Sequence, residues 1–315
     1  MDLNREVKGS VDYVNERLAP PGKKVKVFLW SGNADPDNEA LRLVEKAGLV
    51  NVNGGNSLAL DSTATLTSIW PQARRENGGI QIYAAIMNEN VYTNDWTGPY
   101  YGFRKVIETF DITNQPRRLK PISIYYHFYS ATKPAAINAL RDVYDAAIER
   151  NPFPIYLSEF AALVQSYYSA SIYKDLEGNW SVHNTGSLNT LRIPQSLGYP
   201  DMQRSIGLSG YKDANQDRYL HLASKSATLS FADKPSNHTQ LASANASTLI
   251  WQPESAQRTK LHLTGHTNIE FEVYSKAACT LTQPNAPPMR VQTKNKKVEF
   301  KLATRDTGEA LLVCE

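Results

Sequence analysis

Hydrophobic and polar positions divide the chain into two textures. In the first, up to about residue 175, short apolar runs alternate with stretches of helical periodicity. Leu3, Val7, Val11, Val14 and Leu18 recur at helical spacing, and Pro20-Pro21-Gly22 ends that helix. Residues 25–30 (VKVFLW) read as a buried strand that opens into the polar loop 31–37. Residues 38–47 read as a helix closed by Gly48, and 49–53 as a strand running into Asn53-Gly54-Gly55-Asn56. Residues 80–86 (IQIYAAI) form the next strand candidate, ahead of a long Asn-rich loop and a helix over 102–110. Residues 122–126 are a β-rich run ending in His127; Thr132 is placed to cap a helix over 133–150. A last run, 155–157, ends in Ser158 and Glu159 ahead of a helix over 160–174.

These five strand candidates, mostly each followed by a helix, predict a parallel sheet or barrel, though five strands are too few to close an ordinary barrel. In such folds functional side chains collect at the carboxyl ends of strands. His127 and Glu159 are therefore the first candidates for chemistry. Each has a plainer alternative: His127 as a hydrogen-bonded structural residue, Glu159 as a helix-start carboxylate favoured by the macrodipole.

Beyond about residue 175 the pattern changes to short alternating runs, among them TLRIP, RYLHLAS, STLIWQ, KLHLTGH, NIEFEVYS, KVEFKLAT and ALLVC, separated by Gly, Asn, Asp and Pro turns. This predicts an antiparallel β-sandwich, with the boundary near 175–200. The expected fold class is thus α/β: a partial β/α barrel over 1–175, then an all-β sandwich over 176–315.

The 315-residue length allows two domains with real cores. With 34 basic and 31 acidic residues and no basic stripe, the composition argues against a nucleic-acid partner. No apolar run reaches transmembrane length, and the charged opening MDLNREVKGSVDYVNERL lacks a signal-peptide core, so it does not explain export. Cys279 and Cys314, the two cysteines, can pair in an oxidising compartment but specify no metal site. The 17 tyrosines suit sugar stacking and core packing equally.

Several stretches carry a family likeness: VFLWSGNADP, AGLVNVNGGNS, NENVYTNDWTGPYYGFRKVIETF, RRLKPISIYYHFYSATK, PIYLSEFA, GYKDANQDRYLHLA and LASANASTLIW. Together they resemble the C-terminal portion of the Pel exopolysaccharide deacetylases. The resemblance implies a NodB-like polysaccharide deacetylase barrel followed by a β-sandwich, acting in the periplasm on an N-acetylgalactosamine-rich polymer with a divalent metal, usually zinc. By order along the chain, the loops 31–36 and 51–56 resemble the family's two middle motifs. His127 falls where the late general-acid histidine belongs, and Glu159 looks like the late functional acid. Trp30, Asp35, Asn53, Asn90, Tyr92, Asn94, Trp96 and Tyr126 are the expected substrate-facing residues, with Tyr100 and Tyr101 as further stacking candidates; the plainer roles are core packing for the aromatics, ordinary turns for the asparagines and, as the favoured role, an Asp-Pro turn for Asp35.

The sequence also departs from the family. The early Asp motif and its His-x-x-x-His partner are missing from the residues before 25. The spacing recurs at His262 and His266, inside an alternating stretch where i and i+4 lie about 13 Å apart if extended, so no metal ligands are assigned. The chain therefore resembles the later part of a deacetylase barrel whose metal-binding half comes from a separate chain, or which self-associates through unpaired strand edges. A non-catalytic polysaccharide-binding or assembly module is the alternative. A glycosidase using Asp35 and Glu159 ranks last, because it needs two carboxylates about 5–10 Å apart.

Overall fold

The computed structural model describes residues 2–315 except 64, 66–68, 78, 86–87, 95–96, 116 and 119. The chain is mixed α/β and divides into two compact units: residues 1–152 with 156–164, and residues 153–155 with 165–315.

The first unit opens with helix α1 (residues 5–18), wound more widely in its first and last turns. Strand β1 (Val27–Leu29) follows, then α2 (Asn38–Lys46), β2 (Val50–Val52), β3 (Ala73–Glu76) and β4 (Gly79–Ile82). Asp37 caps α2, its Oδ1 accepting from the Ala40 amide at 2.8 Å, and Gly48 leaves the helix at φ +72°. The strands lie in the order β1-β2-β4-β3; β1, β2 and β4 are parallel and β3 runs antiparallel to β4. No sheet among the described residues closes into a barrel. Val7 and Val11 of α1 bury against Val44 of α2 and Leu49, with Phe28 and Trp30 packed alongside. The unit continues through α3 (Glu89–Tyr92), a 3₁₀ turn at Gly102–Lys105, α4 (Val106–Ile112), a 3₁₀ turn at Phe128–Thr132, and α5 (Pro134–Glu149). Helix α6 (Leu157–Ser169) comes next.

Three expectations are corrected here. Residues 122–126 are not a laddered strand. His127 at their end has extended backbone (φ −108°, ψ 150°), but the Tyr125 carbonyl accepts from the Glu89 amide rather than from a sheet strand. Residues 155–157 are not a strand either, because α6 begins at Leu157, so neither run flanking α5 adds a strand to the sheet. The helix expected to reach residue 174 stops at Ser169, since Ser171–Lys174 form β5. That strand pairs with β6 (Trp180–His183), its Ile and Tyr favouring a ladder over a further helical turn. Ile86 of the third strand candidate lies outside the described residues.

Beyond β6 the second unit runs β7 (Thr190–Pro194), β8 (Tyr199–Pro200), β9 (Leu208–Ala214), β10 (Asp217–Leu222), β11 (Ala227–Leu229) and β12 (Phe231–Ala232). It continues with β13 (Gln240–Ala244), β14 (Ser247–Pro253), β15 (Arg258–Thr264), β16 (Glu270–Tyr274), β17 (Cys279–Thr282), β18 (Met289–Val291), β19 (Lys297–Lys301) and β20 (Ala310–Cys314). A six-stranded sheet, β19-β16-β13-β9-β10-β7, and a five-stranded sheet, β14-β15-β20-β17-β18, share one apolar cluster. Leu241, Phe271, Val273, Val298 and Phe300 enter it from the first sheet; Leu261, Leu263, Leu281 and Leu312 enter from the second. The alternation of the sequence explains this, since every second residue of a strand points to the same face. Cys279 and Cys314, paired across β17 and β20, are joined by a disulfide inside the same cluster.

Lys120, in the first unit, is 5% exposed, and its Nζ donates to the Pro71 carbonyl at 2.9 Å. Burial pushes its pKa down from 10.5 to about 8. Between those values the unfolded chain binds more protons than the folded one, so this group's contribution to stability rises with pH from about 8 to 10.5 and is lowest below 8. Lys120→Met is expected to remove that slope and raise stability at pH 7 by about 1–3 kcal/mol. Urea midpoints measured at pH 7 and pH 10 check this; equal pH dependence in the two proteins would refute it.

Candidate active site

The parallel strands deliver their following loops to the same end of the sheet, and the side chains there are tied together. Asn53 leaves β2 at φ +115°, a conformation that L-residues other than Asn and Asp rarely adopt. Its Nδ2 donates to the Trp30 carbonyl at 2.6 Å and reaches the Tyr125 hydroxyl at 3.5 Å, while its Oδ1 accepts from the Gly54 amide. Gln81 of β4 is 1% exposed and donates through Nε2 to the carbonyls of both Ala34 and Asn53, at 2.8 Å each. Glycine is required beside it: a Cβ on Gly54, at φ +86°, would stand 2.5 Å from the Ala34 oxygen. The loops after β1 and β2 are thus tied to each other and to β4 by buried amides.

Tyr125 leads from this frame to His127. The two rings stack at 5.7 Å, and His127 also stacks on Tyr129 at 5.0 Å. The main partner of His127 is Glu89, at the start of α3. Glu89 Oε1 accepts from the His127 amide at 2.6 Å and from His127 Nδ1 at 2.8 Å, with the Ser130 hydroxyl at 3.4 Å. The Glu89 side chain is 4% exposed and the His127 side chain 35%. A carboxylate only accepts, so Nδ1 carries the hydrogen and Nε2 is the basic nitrogen of the neutral ring. Glu89 Oε2 is buried without a hydrogen-bond partner and borders a cavity of about 140 Å³. Phe103 and Leu140 give that cavity an apolar side; Thr93, Ser130, Thr132 and Lys133 give it polar groups. Partial burial, then the charge of Glu89, push the Tyr129 phenol up to about 12, so it remains a donor at neutral pH. Phe128, beside His127 in sequence, is 90% exposed.

The remaining candidates are distributed as follows. Glu159 is the third residue of α6, and its Oε2 accepts from the Tyr156 amide at 2.7 Å, the helix-start role. Asp35 pairs with Arg74 at 2.7 Å. Trp30 donates through Nε1 to Asn51 Oδ1 at 3.0 Å and meets Phe28 edge-on at 4.9 Å, as a packing residue. Tyr92 is bonded to Thr109 at 2.9 Å, and burial pushes its phenol well above the usual range. Asn90 sits next to Glu89 on α3, its carbonyl near the Thr93 hydroxyl. Asn94 holds a turn at φ +48°, with its carbonyl accepting from Thr97 Oγ1. Tyr126 meets Phe128 and Tyr144 edge-on, each at 6.4 Å. Tyr100 borders the cavity under the Lys133 ammonium, and Tyr101 is exposed. Trp96 lies outside the described residues. In the second unit His262 bonds Asp306 at 2.7 Å from β15, so His262 and His266 do not act as a helical ligand pair.

The structure therefore joins Asn53 to His127 through Tyr125, and it adds Glu89, which the sequence reading passed over in favour of Asn90. The signal was present: a carboxylate in the loop after a strand, the placement that singled out His127. A metal fits these residues poorly. Glu89 Oε1 is committed to His127, and among the described residues no three His, Cys, Asp or Glu side chains gather as ligands. Set against family models, curated proteins and solved structures, the chain matches none of them.

Proposed function

We propose that the first unit is the proton-transfer part of a polysaccharide N-deacetylase acting on an N-acetylgalactosamine-rich polymer, with His127 as general acid. The observation that carries this reading is the buried Glu89 carboxylate holding His127 Nδ1 beside a small cavity. Amide hydrolysis adds water to the carbonyl carbon, then breaks the C–N bond as the nitrogen receives a proton. An imidazolium held through Nδ1 delivers that proton from Nε2, a task matched to histidine near neutral pH. Glu89 fixes the ring through Nδ1, and the exposed Phe128 offers a face for a sugar ring.

The resemblance to Pel deacetylases assigns water activation to a divalent metal such as zinc. Since the donor set here does not suit one, the metal-binding half is expected on a separate chain or a second copy. The second unit takes the part of the family's accessory β-sandwich, and the periplasm is the expected location. A saccharide-binding module is the second reading, favoured by the same exposed Phe128.

The test is acetate release from N-acetylgalactosamine oligomers with added Zn²⁺, in cell extract and with purified chain. His127→Ala is expected to lower release about 10²–10⁴-fold. Release indifferent to His127→Ala would overturn the reading. No release with oligomer binding retained would establish the binding module instead.

A further inference from the structure

A cavity of about 1110 Å³ in the second unit belongs to none of the chemistry above. It opens where β13, β15 and β17 begin and β16 and β20 end, and it exceeds the several hundred Å³ that one small ligand fills. Lys234, Arg258, Lys276 and Lys296 line it, against a single acidic residue, Glu315. Arg258 is answered by Glu254 at 2.6 Å, which leaves the three lysines to set the field of the groove.

Two details of the wall point to a ligand. Gln240 is 2% exposed, and its Oε1 has no hydrogen-bond partner, so a buried acceptor stands at the groove unsatisfied. Lys296 sits at φ +61°, directly after Asn295 at φ +53°, in a tight turn where the second residue is ordinarily glycine. A lysine in that position is strained relative to glycine, and Lys296 is one of the residues that line the groove.

We infer that this groove binds an acidic polysaccharide, a chain of carboxylate-bearing sugars. The lysines match its charges. Ser236, Asn237 and Gln257 match its hydroxyls. The lining aromatics, Tyr211 and Tyr274, stack on each other at 5.6 Å and are largely buried, so no exposed platform for nucleic-acid bases exists in the groove. An amine-bearing polymer, the product of deacetylation, would be repelled by the same lysines. The inference is independent of the activity proposed for the first unit.

The experiment is calorimetric titration of the full chain with oligogalacturonate, beside neutral galactose oligomers of equal length and poly-glutamate. Saturable oligogalacturonate binding is expected, weakening with salt. It is expected to fall at least tenfold in Lys234→Gln/Lys276→Gln/Lys296→Gln with the thermal midpoint unchanged, and neutral oligomers are expected to bind far more weakly. Lys296→Gly, which relieves the turn, should weaken binding while preserving or raising the midpoint. Absent binding, binding indifferent to the lysines, or equal affinity for poly-glutamate would overturn the proposal.

Discussion

Converting Cys279 and Cys314 to alanine is expected to lower the stability of the second unit by about 3–4 kcal/mol. The disulfide closes a loop with a sequence separation of 35, and removing it returns that loop's freedom to the unfolded chain. Both residues are nearly inaccessible, at 0% and 3% exposure, and belong to the cluster shared by the two large sheets. Alanine keeps the site apolar, so the loss reports the cross-link with only a small packing term. Guanidinium melts followed by tryptophan fluorescence, with and without reductant, give the measurement, since Trp180 and Trp251 report on this unit. A reduced wild type unfolding at the oxidised midpoint would show that the bond contributes nothing.

Glu89→Ala is expected to destabilise the first unit by about 3 kcal/mol. One buried oxygen accepts from the His127 amide, the His127 ring and, more distantly, the Ser130 hydroxyl, and alanine strands all three donors. Glu89→Gln keeps an acceptor oxygen and removes the buried charge, so it should cost about 1 kcal/mol. The order wild type, Gln, Ala in urea midpoint is the diagnostic; a Gln variant as unstable as Ala would mean that shape, not the acceptor, matters. Acetate release should fall in both variants. In Glu89→Gln the loss of rate should exceed what unfolding explains, because a neutral amide oxygen makes a weaker hydrogen bond to Nδ1 than a carboxylate and orients the ring less firmly.

The helices show what local pattern can specify. Residues 133–150 were expected to be a helix and α5 spans Pro134–Glu149, because its apolar positions and a proline at the first turn act within a few residues; the cap expected from Thr132 does not form, its hydroxyl donating to the Tyr129 carbonyl instead. The expectation for 38–47 likewise met α2 with its Asp37 cap and Gly48 exit. The two runs at 122–126 and 155–157 have strand composition and yet form no ladder, since a strand exists only where a neighbour offers its edge.

The candidate site divides the same way. His127 was legible because a polar residue ends a β-rich run. Glu89 was not chosen, because its importance rests on a separation of 38 residues to His127, which no local pattern encodes. Glu159 has the same local signature as His127, and the fold uses its carboxylate to cap α6.

The sequence by itself determined the two textures, the presence of α2 and α5, the alternation that builds the second unit's core, and the positions of His127, Cys279 and Cys314. Those follow from side-chain periodicity and from local backbone preferences. The tertiary structure alone decided which apolar runs become strands, that Cys279 meets Cys314 across β17 and β20, and that Glu89 clasps His127. It also decided that Gln240 and Lys296 face one groove. Such pairings depend on which distant segments pack together, and that choice is made by the burial of the whole chain.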